Sequence, residues 1–431
     1  MLKDKSTTPM LPAVRGTRLG LLGVLVAVVL VITGCTRGTQ GIFATIEVEE
    51  ETKTSNLVDN TSATALVRTS IGVDDGGERF VVQAGTKIFT REDSAGAEWT
   101  AISSPSDQIP TFLAGIDTDS PADGTVEAVY AVFFDSEADR DYLYELDDSD
   151  GSLSWSRDSD TIGTDVWNPD EGRIRGLEGV GNRLILAADN GERSDDDEYQ
   201  QRLYSFGLDG TNDLTGKTEL GTFNADDRGI RAAATNAAGD LVVIGNTVHF
   251  TDDAGSAGLS ESSDSSGDPI ENGRGVTVFP STFDSGDPTD TFLLVTLDGA
   301  LYTSSDGNSW TTAEGNIPDR SYSGVAWVDH AELLVLGTLS YEGDDIEGST
   351  TARGYYEVTS TSTGAPYTLD FSKDDISDNY DGSELATSGI ARFSYYPKRG
   401  TDDSALLFAL SHGRGLWRTS YGSAGPEWFW E

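Results

Sequence analysis

Four arginines occupy similar positions in a repeating pattern, and their chemistry is that of anion binding. Arg228, Arg274 and Arg320 are equally spaced, each two residues before the first apolar residue of a predicted strand. Arg173 lies near the same position one repeat earlier. A planar guanidinium binds carboxylates and phosphates through paired hydrogen bonds. If these strands line a common channel, the arginines would form a ring at its mouth that binds anionic groups.

The same arginines have a second interpretation, in which they pair with acidic neighbours. The nearest acids in the sequence are Asp226, Asp227 and Asp319. Such pairs would join adjacent repeats and would leave no ligand site. We favour this second interpretation because ion-pair networks commonly explain such clusters. Both interpretations remain open from the sequence alone.

Residue patterns that support catalysis or metal binding are absent from the sequence. His249, His330 and His412 have no metal-ligand spacing, and no G-x-S-x-G nucleophile motif is present. The Asp-rich turns lack suitable ligands at the first and twelfth positions of a calcium loop of the EF-hand type. We therefore predict no catalytic residues, no metal and no cofactor.

The amino-terminal segment has the pattern of an export signal. A basic stretch at residues 3–18 precedes an apolar stretch at residues 19–32, which would span about 21 Å as a helix, short of the roughly 30 Å hydrocarbon core. The segment ends in Ile32, Thr33, Gly34 and Cys35, which resembles a bacterial lipobox, and Cys35 is the only cysteine. This resemblance implies that residues 1–35 are a lipoprotein signal peptide and that Cys35 carries the lipid. An ordinary signal or a short anchor is the alternative.

The charge of the chain restricts its partners. The 431 residues include 73 Asp and Glu against 29 Lys and Arg, a formal net charge of −44. Such a surface repels nucleic acid, so we predict no nucleic-acid partner. The acidity favours solubility and is also one adaptation to salt-rich habitats, and both explanations stay open.

A unit of roughly 50 residues recurs along the chain after a predicted tether at residues 36–63, in which residues 42–48 alternate enough to form a strand that docks on the repeats. Each copy has a strand that ends in an aromatic residue, usually preceded by an aliphatic one, then a turn rich in Asp, Gly and Ser, and often a tryptophan. Apolar segments upstream of each pair indicate further short strands. We predict an all-β fold, a single β-propeller of about seven four-stranded blades over residues 64–431, with six or eight blades as alternatives. The predicted blades are residues 64–103, 110–160, 172–224, 228–270, 274–315, 320–372 and 388–431.

The clearest copy of the turn resembles a known motif. Ser304, Asp306, Gly307 and Trp310 have the spacing of the Asp-box of sialidase-type (BNR) propellers. The resemblance implies that the aspartate binds backbone amides of the turn between the two outer strands, while the tryptophan packs into the blade core. It implies an architecture and not an activity, because Asp-boxes are scaffold.

These features lead to a functional expectation. We predict a lipid-anchored, monomeric protein of the cell envelope, at the outer membrane, its periplasmic face or the cell surface. Its predicted function is that of a non-catalytic module that binds or scaffolds a protein or glycan partner. The alternative is an exo-glycosidase of the sialidase type, which would need an arginine group, a tyrosine and two carboxylates in a deep central pocket.

Overall fold

The computed structural model describes residue 57 and residues 62–431, with gaps at 74–76, 95–96, 119–123, 149–151, 158–166, 169–171, 194–198, 209–213, 225–228, 257, 283–287, 316, 318–319, 340–353, 372–376, 379–384, 386–388, 398–404, 413–414 and 422–427. The predicted signal peptide lies outside the described residues. The predictions for Ile32, Thr33, Gly34, Cys35 and Arg228, and for most of the tether, therefore lie outside them as well.

Seven antiparallel sheets form a ring around a central channel, and we call them blades 1 to 7 in chain order. The first strand of each blade contacts the first strand of the next, and contact between blades 7 and 1 closes the ring. These first strands line the channel. They are β1 (Ala63–Thr69), β5 (Ile109–Ile116), β9 (Arg173–Val180), β13 (Ala232–Thr235), β18 (Gly273–Thr282), β22 (Tyr322–Val328) and β26 (Ile390–Tyr396).

Three further strands follow outward in each blade, each antiparallel to the one before it. The second strands are β2 (Arg79–Ala84), β6 (Ala128–Asp135), β10 (Arg183–Arg193), β14 (Leu241–Ile244), β19 (Pro288–Thr296), β23 (Leu333–Thr338) and β27 (Ala405–Ser411). The third strands are β3 (Lys87–Glu92), β7 (Arg140–Asp147), β11 (Tyr199–Leu208), β15 (Val248–Thr251), β20 (Leu301–Ser304), β24 (Tyr355–Thr359) and β28 (Leu416–Tyr421). The outer strands are β4 (Thr100–Ile102), β8 (Ser154–Ser156), β12 (Leu214–Asn224), β16 (Ser260–Glu261), β21 (Ser309–Thr312), β25 (Ser377–Asp378) and β29 (Trp428–Trp430).

This arrangement confirms the prediction of an all-β propeller and gives seven blades rather than six or eight. Blade 5 has one additional strand, β17 (Ser263–Asp264), which pairs in parallel with β21. Residues 252–273 are rich in Ser, Asp and Gly, a composition typical of a loop with little to bury. The segment instead supplies β16 and β17, and the hydroxyl of Ser262 donates to the carbonyl oxygen of Gly307, 2.7 Å away.

The second strands are apolar at nearly every position because both of their faces are buried. In β14, Leu241 and Val243 belong to the core between blades 3 and 4. The alternating neighbours Val242 and Ile244 belong to the core between blades 4 and 5. Side chains of a strand alternate between its faces, so each blade contributes to two separate cores. Seven such clusters, one between each pair of adjacent blades, hold the ring together.

Polar contacts join blades 7 and 1 in addition to their shared apolar core. The hydroxyl of Tyr396 donates to the carbonyl oxygen of Leu66 at 3.0 Å, and residues 62 and 415 form a parallel bridge. Nearer the outside, the Glu431 carboxylate accepts hydrogen bonds from Arg91 of blade 1 and Arg418 of blade 7. Among the described strands, the ring is therefore closed by contacts between two blades that are each built from four consecutive strands.

Candidate functional site

The turn between β20 and β21 is held by its own side chains. Oδ1 of Asp306 accepts hydrogen bonds from the backbone amides of Asn308 at 2.9 Å and Ser309 at 3.0 Å. The indole nitrogen of Trp310, a residue only 1% exposed, donates to the carbonyl oxygen of Gly307 at 2.8 Å. Every one of these partners belongs to the turn, and the Trp310 ring packs in the core between blades 4 and 5. The geometry assigns these residues a structural role.

Arg173, the first residue of the predicted arginine ring, joins two adjacent blades. Its Nε donates to Asp141 at 2.8 Å and its Nη1 donates to Asp139 at 3.0 Å. Its guanidinium also lies over the ring of Phe134, 4.3 Å from the centroid. Arg173 begins blade 3 and these partners belong to blade 2, so this arginine pairs with acidic neighbours, as the second interpretation expects.

The other predicted arginines have separate positions. Nε of Arg320 donates to the hydroxyl of Tyr356 in its own blade at 3.3 Å. Arg274 is the second residue of β18 and lines a cavity in the channel. Among the described members of the predicted ring, Arg274 alone lines this cavity.

The cavity has a volume of about 600 Å³ and is bounded mainly by the first strands of blades 4 to 7. Arg231, Arg274 and Arg392 line it at the beginnings of three of these strands, and we call this the arginine end. The beginnings of neighbouring strands lie very close together, because a Cβ on Gly324 would be 3.3 Å from Cα of Arg392. Glycines thus let the arginine-bearing strands approach each other.

Arg231 and Arg392 were missed by the sequence analysis. The apolar pattern places the start of the fourth blade at Ile230, whereas β13 begins at Ala232, directly after Arg231. The predicted strand start therefore selects Arg228 for the ring and not Arg231. Arg392 lies within β26, where the register with β27 shifts between residues 390 and 392. An irregularity of this kind has no sequence signal that we can identify.

One ion pair crosses the channel from blade 7 to blade 3. Arg392 donates two hydrogen bonds to the Glu178 carboxylate, Nη1 to Oε1 at 2.7 Å and Nη2 to Oε2 at 2.8 Å. This is the paired geometry that a guanidinium makes with any carboxylate. The nearby negative charge of Glu178 is the main reason that the pKa of Arg392 is raised. Arg392 thus demonstrates that a carboxylate fits at the arginine end.

The opposite end of the cavity has aromatic rings and an acid. Trp327, Asp329, Tyr367 and Tyr395 line it at the ends of β22 and β26, and we call this the aromatic end. The hydroxyl of Tyr395 donates to Oδ1 of Asp329, and the rings of Trp327 and Tyr367 have centroids 4.7 Å apart. Burial, together with the bond to Asp329, raises the pKa of Tyr395. Tyr395 is therefore a neutral hydrogen-bond donor.

The residues that line the cavity do not form the two-carboxylate arrangement of a glycosidase. Among the described residues that line it, Asp329 is the one carboxylate, and it accepts the Tyr395 hydrogen bond. Both retaining and inverting glycosidases ordinarily need an acid and a second carboxylate beside the scissile bond. In the part of the chain that the structure describes, no group of three or more His, Cys, Asp or Glu residues could hold a metal ion.

Comparisons with known proteins show no family for this chain. No protein-family model and no curated protein match the chain. The crystal structure of Saccharomyces cerevisiae Sqt1 is similar over 86% of this chain and 98% of that one, with 8% identity and a TM-score of 0.46. The computationally designed Ika8 protein is similar over 85% of this chain and 99% of that one, with 11% identity and a TM-score of 0.40. Neither likeness assigns a function.

Proposed function

We propose that this propeller is a non-catalytic binding module that accepts an anionic group of a protein or glycan partner in its central cavity. The observation that carries the proposal is the clustering of Arg231, Arg274 and Arg392 around one cavity in a chain of net charge −44. Glu178 offsets the charge of Arg392, and Arg231 and Arg274 add positive charge at the same site in a sequence where cations are scarce.

The exo-glycosidase remains the second candidate, and it has weaker support. The cavity does combine arginines with tyrosines, as a sialidase-type site would need. However, Asp329 is its one lining carboxylate, and the nearby Glu178 carboxylate forms an ion pair with Arg392. Activity on a panel of fluorogenic sialosides or glycosides would reverse this ranking.

The binding proposal predicts that Arg274→Glu reduces anion binding at least tenfold, which corresponds to about 1.4 kcal/mol. A carboxylate at this position would repel the ligand and would also attract the remaining arginines. Isothermal titration with glutarate and with inorganic phosphate measures the effect on the purified full chain. Arg140→Glu is the matched control, because Arg140 is exposed at the beginning of β7 and lies outside the cavity.

Two outcomes would contradict the proposal. One is that neither anion binds the wild-type chain, and the other is that Arg274→Glu binds as tightly as Arg140→Glu does. The denaturation midpoint of each variant, measured in parallel, shows whether the fold is intact. An Arg274→Gln variant adds a neutral substitution in case the charge reversal disturbs packing.

We further propose that the module is exported and anchored in the cell envelope by a lipid on Cys35. The support is the basic stretch, the short apolar stretch and the single cysteine at the end of the lipobox-like segment. Among the described residues, no helix has the length and apolar character needed to span a bilayer.

The anchor predicts that the wild-type chain partitions into the detergent phase of a bacterial extract and that Cys35→Ser moves it to the aqueous phase. The lipid adds apolar surface that only Cys35 can carry, since it is the only cysteine. Mass spectrometry of the purified protein detects the modification directly. Equal partitioning of the two chains would show that Cys35 is not the anchor.

A further inference from the structure

The central cavity has ends of opposite charge. Arg274 is near the beginning of β18, while Asp329 follows the last residue of β22. Contacts show that the first strands run in the same direction, because Gly324 approaches Arg392 at their beginnings and Tyr395 bonds to Asp329 at their ends. The arginine end and the aromatic end are therefore at opposite ends of one cavity, and not interleaved.

The aromatic end has the chemistry of a cation site. The rings of Trp327, Tyr367 and Tyr395 line this end, and an aromatic ring attracts an ammonium group placed over its face. Asp329 adds a carboxylate at the same end, and Glu332, whose Oε1 accepts from the backbone amide of Gly364, lies close by. Burial is the main cause of the raised pKa of Tyr367, and the charges of Glu332 and Asp329 raise it further. These groups all favour positive charge in a ligand.

The separation of the two ends follows from the strand geometry. Arg392 and Tyr395 are three positions apart on β26. A strand rises by about 3.3 Å per residue, so the two levels of the cavity are roughly 10 Å apart. A ligand that contacts both ends must therefore carry its charges about this far apart.

We propose that the cavity binds a dipolar small molecule, with a carboxylate or phosphate at the arginine end and an ammonium group at the aromatic end. For the anionic group of the ligand, this inference rests on the proposed function. It adds a cationic group and the distance between the two charges of the ligand. A ligand with only an anionic group would place no positive charge beside the Asp329 carboxylate, which accepts a hydrogen bond from the neutral Tyr395 hydroxyl. A ligand with adjacent charges would reach one end only.

Titration calorimetry of the full chain with triglycine tests the inference, because three extended residues span about 10 Å between a free ammonium and a free carboxylate. N-acetyl-triglycine lacks the ammonium, triglycinamide lacks the carboxylate, and glycine is too short to reach both ends. We expect triglycine to bind at least tenfold more tightly than any of these three. Asp329→Asn should weaken the binding of triglycine and triglycinamide but not that of N-acetyl-triglycine. Arg274→Gln should weaken the binding of triglycine and N-acetyl-triglycine but not that of triglycinamide. Glu314→Gln, at an exposed acid outside the cavity, is the control.

The possible failures are distinguishable. If N-acetyl-triglycine binds as tightly as triglycine and Asp329→Asn has no effect, the dipolar ligand is wrong while the anion site stands. If triglycinamide binds as tightly as triglycine, the dipolar ligand is also wrong, because the arginine end contributes nothing. If no probe binds, including glutarate and inorganic phosphate, both the inference and the proposed function fail.

Discussion

Replacing Glu431 with alanine is expected to lower the free energy of unfolding by about 3–5 kcal/mol, as when one partner of a buried ion pair is removed. Glu431 is only 1% exposed, and its carboxylate accepts from Arg91, from Nε1 of Trp99 at 3.1 Å and from Nε of Arg418 at 2.7 Å. Arg91 is 7% exposed, and burial lowers the pKa of its guanidinium while the charge of Glu431 opposes that shift. Without Glu431, this buried cation loses its counter-charge.

The effect reaches beyond one contact because Glu431 joins blade 1 to blade 7. A ring held together by contacts between neighbours is least supported where its two ends meet. The denaturation midpoint in guanidinium chloride measures the loss. Glu431→Gln keeps the side-chain volume and removes the charge, so we expect it to retain part of the stability. Glu314→Ala, at an exposed position, should change the stability by no more than about 0.5 kcal/mol. If Glu431→Ala behaves like that control, the ring does not depend on this ion pair.

The repeat was predictable because its signals are local. Buried second strands read as apolar runs, and the Asp306 turn has a spacing that is visible in the sequence. Both features depend on residues within a few positions of one another. Blade number followed from counting the repeats, because each repeat buries its faces only against its neighbours. Residues 252–273 carry no such local signal, because backbone pairing, and not apolar burial, places β17 against β21.

The site was less predictable because it is built from residues far apart in the chain. Arg392 and Glu178 are separated by 214 positions, and their pairing depends on two first strands that face each other across the channel. The equal spacing of arginines includes Arg274, which lines the cavity. It could not show that Arg173 pairs with Asp141, because that contact depends on how blades 2 and 3 pack. Periodicity predicts which blade a residue occupies, and packing decides what it contacts.

The close approach of the first strands also depends on how the blades pack. A Cβ placed on Gly179 in β9 would lie 1.6 Å from the carbonyl oxygen of Gly115 in β5. The obstacle is backbone and not the end of a flexible side chain, so one first strand must move away from the other. Overpacked sites ordinarily cost about 1–3 kcal/mol, and we expect Gly179→Ala to lower the free energy of unfolding by about 3 kcal/mol or more. It should also lower the yield of soluble protein.

Gly207→Ala is a matched control in the same blade. Gly207 lies in β11, and the nearest atom to its Cβ would be Nη1 of Arg183 at 3.5 Å, an ordinary van der Waals contact. Alanine at an unstrained glycine position restricts the unfolded chain and stabilises by about 0.4–1 kcal/mol. The two substitutions should therefore shift the denaturation midpoint in opposite directions, although both add one methyl group to a strand of blade 3. Equal denaturation midpoints for Gly179→Ala and Gly207→Ala would mean that Gly179 and Gly115 leave room for a methyl group between β9 and β5. The spacing of β5 and β9 at the channel depends on that contact.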